Sequence, residues 1–85
     1  MAELTSMLNV GAEIEKKLKA VGIGSAEDLK DAGSKGAFLR LKARFPNVCL
    51  VHLYALEGAI SGISHEQLPG SVKRDLREYN DGLKQ

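Results

Sequence analysis

From Phe45 to Leu56 the chain reads FPNVCLVHLYAL, twelve residues without one Lys, Arg, Asp or Glu. Such a run is too short to span a bilayer, and it holds Pro46 and His52, so it has to be buried by the rest of the protein. Val48, Leu50, Val51, Leu53, Tyr54 and Leu56 fall on nearly every side of a helix, the pattern of a helix enclosed by other helices. The spacing therefore predicts a central helix from Val48 to Ile60, and the remaining chain must supply its walls. Gly58 and Gly62, one turn apart beside Ala59, weaken helix propensity but let another backbone come close. A near helix crossing is expected there.

The wall elements are legible from period and punctuation. Leu4, Met7 and Leu8 share one helical face, which predicts a short first helix. Asn9-Val10-Gly11 breaks it, with Asn9 placed to cap the next helix. Ile14, Leu18 and Val21 then form a stripe opposite Glu13, Lys16 and Lys17, and Gly22 is a natural stop. Ser25-Ala-Glu-Asp28 fits a capping box opening a third helix that ends at Gly33. Ser34 opens a fourth, with Phe38, Leu41 and Phe45 on one face and Pro46 as terminator. After a second capping-box match at Ser64–Gln67, Pro69 starts a last helix with Val72, Leu76, Tyr79 and Leu83 inward. No stretch alternates with period two, so strands are not expected. The reading is all-α, a small bundle of five to six helices beginning with a helix-hairpin-helix-like motif. One domain spans 1–85, with the hairpin over 3–33, core helices over 35–62 and a C-terminal helix over 69–83.

Eighty-five residues, 44% hydrophobic and 27% charged, have the composition of one globular domain and leave no second core to fill. The single cysteine cannot form an internal disulfide, and no secretory leader opens the chain, so a reducing cytoplasm is the expected home. Net charge is only +1, below the basic excess of a dedicated nucleic-acid binder. Its distribution is uneven. Between Asp31 and Glu57 there is no acid, while Lys35, Arg40, Lys42 and Arg44 make that piece basic.

Catalytic arrangements are hard to assemble from these residues. His65-Glu66 opens like a zinc-protease helix, but Pro69 stands where the second histidine belongs. Cys49 and His52 share a face, yet zinc needs four ligands and no second pair exists; both are expected in or near the core. Tyr54 and Glu57 lie one turn apart, with Glu57 expected on an exposed strip or paired with an arginine. The glycines have no phosphate-loop spacing. No enzyme activity, metal or cofactor is expected.

Binding chemistry is better represented. The first amides of the helix after Asn9-Val10-Gly11 lack intrahelical partners and carry the positive end of the helix dipole, a ready phosphate site. Asn9, Gly11, Ala12, Lys16 and Lys17 are its candidate residues. The turn is similar to that of helix-hairpin-helix DNA-binding modules, which place a second glycine two residues after the first; here that position is Glu13, an acid that repels phosphate. Arg40 and Arg44, one turn apart, are the second candidate pair, able to reach adjacent phosphates or an acidic partner.

The chain also resembles the C-terminal domain of the TfoX/Sxy family, from Leu4 to about Tyr79. The likeness is carried by LTSMLNVG, LKAVGI followed by SAEDL, and above all AFLRLKARFPNVCLVHLYALEGAISGI with LP shortly after. It implies a small helical bundle and a role in regulating bacterial competence. Full-length members have an N-terminal domain ahead of this region, and with Met1 just before the match a free-standing version is expected. Where relatives often have tryptophan ahead of LP, this chain has His65. Weak, sequence-independent DNA binding is the expectation; a regulatory protein partner or a second copy of the chain, bound through an apolar helical face, is the alternative.

Overall fold

The computed structural model describes Leu4 and residues 7–83. Four α-helices follow in order, α1 (Ala12–Ala20), α2 (Ala26–Arg44), α3 (Leu50–Ser61) and α4 (Gly70–Gly82), with a short 3-10 turn, His65–Gln67, before α4. No strand occurs among the described residues. The all-α reading holds, with four α-helices among the described residues where five to six helices were expected. The predicted first helix falls mostly outside the described residues; Met7 and Val10 donate their amides to the Leu4 and Met7 carbonyls at 3.0 and 3.3 Å, and these are tight turns.

Local chemistry accounts for most boundaries. Ser25 caps α2, its Oγ accepting the Asp28 amide at 3.1 Å, while Asp28 Oδ2 accepts the Gly24 amide at 3.2 Å. Two helices were expected on either side of Gly33, and the backbone does break there: Gly33 leaves helical conformation (φ 77°, ψ 163°), a region open to glycine and almost nothing else, so α2 is two helical segments joined at a kink. Pro46 ends α2, and Lys42 closes that end by donating to the Val48 carbonyl at 2.6 Å and the Pro46 carbonyl at 3.3 Å. α3 ends at Gly62 in the left-handed region (φ 76°), with Ile63 donating to the Gly58 carbonyl at 3.0 Å.

The core lies where α2, α3 and α4 meet, with α1 laid against α2. Leu18 from α1, Ile23 from the connection after it, Phe38 and Leu41 from α2, Leu53 and Leu56 from α3, and Leu76 from α4 are fully or almost fully buried. The central helix has fewer walls than its sequence suggests. α2, α4 and the 3-10 turn pack on α3, and Val51 is left 56% exposed.

Candidate nucleic-acid interface

α1 opens without a side-chain cap. Gly11 holds the cap position in extended conformation (φ −94°, ψ −179°), in place of the expected Asn9. Gly11 and Ala12 are exposed, and a Cβ built at Gly11 meets nothing within 4 Å. An anion can therefore approach this backbone closely. Glu13 does not plug the helix start, although it and Glu15 both sit in the first turn and oppose negative charge there.

The candidate cations divide between two helices that the fold brings together at one ring. Lys17 Nζ lies 5.8 Å from the centroid of Phe45, and Arg44 Cζ lies 5.9 Å from the same centroid, both within cation–π range. Phe45 is half-buried at the end of α2. Lys16 and Arg40 are exposed and make no ion pair among the described residues. The Lys19–Glu15 pair on α1, at 3.9 Å, is a surface pair of small energetic weight. Lys17 and Arg44, distant in sequence, thus share one patch.

Asn9 has a different task from the one its position suggested. It adopts φ 71°, tolerable for asparagine. Its Nδ2 donates to the Ile63 carbonyl at 3.0 Å, and its Oδ1 accepts the His65 amide at 3.2 Å. The side chain crosses directly over Gly58, where a Cβ would lie 2.5 Å from Asn9 Nδ2. Both ends of the amide are occupied, so Asn9 ties the N-terminal turn to the end of α3. In place of the helix crossing expected near Gly58, the close approach is made by an asparagine side chain and the loop after α3.

Of the pair expected in or near the core, Cys49 leaves it and His52 stays half-buried. Cys49 is exposed, and its amide donates to His52 Nδ1 at 3.1 Å across the start of α3. Burial and the nearby Lys17 charge hold the half-buried His52 below the ordinary 6.5. Glu57 accepts from Ser34 Oγ at 2.6 Å and Ser61 Oγ at 3.2 Å, with serines where an arginine was expected. No group of three or more His, Cys, Asp or Glu among the described residues could hold a metal, and no described helix is long and apolar enough to cross a membrane. The Asn9 tie and the Ser34–Glu57 bond have no signal in sequence spacing, because their partners lie 54 and 23 residues away; the Ser61–Glu57 bond, four residues apart on α3, was within reach of it.

The fold and its residues have clear relatives. The chain is 40% identical to an uncharacterised protein of Listeria monocytogenes in a triclinic crystal form, with a TM-score of 0.96 over 98% of this chain and 94% of that one. A tetragonal form of a Listeria monocytogenes protein of unknown function gives 0.93 at 40% identity, covering 95% and 99%. Protein Sxy of Escherichia coli (strain K12) is 35% identical over 80 residues, 94% of this chain but 38% of its own length. The model of the TfoX C-terminal domain matches residues 1–79. With that match spanning nearly the whole bundle, the chain belongs to the TfoX C-terminal domain family.

Proposed function

We propose that the domain is a regulatory module that contacts the phosphate backbone of DNA weakly and without sequence preference. The Gly11 and Ala12 backbone receives a phosphate, and Lys16, Lys17, Arg40 and Arg44 supply the charge. The observation that carries this is the uncapped, exposed start of α1 followed by Lys17, which meets Arg44 at Phe45. Asn9 serves as the strut that fixes the turn. Four cations at most imply a Kd on the order of 10⁻⁴ M and a log–log salt slope of roughly −2 to −4. Fluorescence anisotropy with a labelled duplex at two ionic strengths tests this. Lys16→Glu with Lys17→Glu is expected to remove binding, whereas a flat titration of the wild type at low salt, or a charge-reversed variant that binds as well, refutes it.

The exposed Leu8 (53%), Leu39 (48%) and Val51 (56%) favour a second reading, an interaction or self-association module that uses no nucleic acid. In that case the same charge reversal leaves association intact, as light scattering across a concentration series would show.

A further inference from the structure

A cleft of about 410 Å³ separates the start of α3 from the last turns of α4. Its walls have one irregularity. Asn80 forms part of the lining, is only 4% exposed, and its Oδ1 has no hydrogen-bond partner among the described residues. Buried polar side-chain atoms are nearly always partnered, so a missing donor is a signal.

The groups around it describe the donor's companion. The Leu50 amide, in the lining, opens α3 without an intrahelical acceptor, and the first turn of α3 carries no acid. This distinguishes it from α1 and α2, whose first turns hold Glu13 with Glu15 and Glu27 with Asp28. Lys42 stands in the wall with two N–H bonds committed to the Val48 and Pro46 carbonyls, which leaves a third for a ligand. Arg77 lines the opposite side, exposed and in no ion pair among the described residues. Asp81 is the one acid of the lining; it repels a bare anion but accepts a hydroxyl.

We propose that this cleft binds a phosphate monoester bearing hydroxyl groups, of the sugar-phosphate class: the phosphate on the Leu50 amide, Lys42 and Arg77, a hydroxyl donating to Asn80 Oδ1 and another to Asp81. The volume is within the range of small-molecule sites. A DNA phosphodiester offers no hydroxyl at this position, so the site stands apart from the proposed DNA contact and does not depend on it.

Amide NMR of the full chain titrated with ribose 5-phosphate, inorganic phosphate or ribose tests the assignment. Ribose 5-phosphate is expected to shift the Leu50 and Val51 amides and the Asn80 side-chain NH₂ saturably, with Kd on the order of 1 mM. Inorganic phosphate should bind more weakly and leave the Asn80 NH₂ in place, and ribose alone should shift neither set. Arg77→Ala, at an exposed position, should weaken ribose 5-phosphate about tenfold with the rest of the spectrum unchanged. Unmoved Leu50 and Val51 amides, equal affinity for inorganic phosphate and the sugar phosphate, or an Arg77→Ala variant that binds as well as the wild type would each overturn it.

Discussion

Replacing Gly58 with alanine sets two physical effects of opposite sign against each other. On an isolated helix, Gly→Ala stabilises by about 1 kcal/mol. In this fold the new methyl would stand 2.5 Å from Asn9 Nδ2, 2.7 Å from the Ile63 carbonyl oxygen and 3.2 Å from the His65 amide nitrogen. Asn9 could swing aside, but only by giving up its bonds to Ile63 and His65, together worth roughly 1–3 kcal/mol. The other two obstacles are backbone, and displacing them adds overpacking strain of roughly 1–3 kcal/mol. Set against the propensity gain, the net expectation is a loss of about 1–5 kcal/mol, against the roughly 4–13 kcal/mol typical of a domain this size. Urea titration is the appropriate assay, with a fall in midpoint at unchanged m-value expected; in a thermal scan the same loss lowers Tm by about 4 °C or more. Asn9→Gly, which tolerates φ 71°, should cost only the two hydrogen bonds, roughly 1–3 kcal/mol. The double variant should lose less than the sum, because the contact between the two positions is counted once. If Gly58→Ala proves as stable as the wild type or more so, the proposed tie between the N-terminal turn and the end of α3 is wrong.

Other perturbations probe separate parts of the bundle. Gly33→Ala forces a side chain into φ 77°, ψ 163° and should destabilise by roughly 1–3 kcal/mol in the same urea titration, although helix propensity alone predicts a gain. Phe38→Ala removes a ring with 0% exposure and should cost about 3–5 kcal/mol. The His52 midpoint, followed by NMR, should lie below 6.5 and rise in Lys17→Ala, which removes one of the charges that depress it. Because the folded value is the lower one, the neutral ring's contribution to stability is complete above pH 6.5 and is lost as pH falls through the folded midpoint; denaturation at pH 7 and pH 5 reads that loss.

Much of the architecture was written into short-range pattern. The stripe of Ile14 and Leu18, the Ser25 cap with its Asp28 partner, the stop at Pro46 and the inward Val72, Leu76 and Tyr79 each involve residues within a turn or two, where helical period and backbone hydrogen bonding act directly. Tertiary structure decided what these elements do to one another. Asn9 had the composition of a helix cap, but its amide found better-placed partners beyond Gly58, because glycine leaves room there and an approach across 54 residues imprints no period on the sequence. Lys17 and Arg44 belong to different helices and become one patch only through Phe45. Likewise the cleft around Asn80 exists because the end of α4 returns to the start of α3. Local chemistry fixes which segments are helices and which faces turn inward; the juxtaposition of charges, amides and unpartnered atoms that could bind a ligand depends on distances between helices, and those are set only when the core packs.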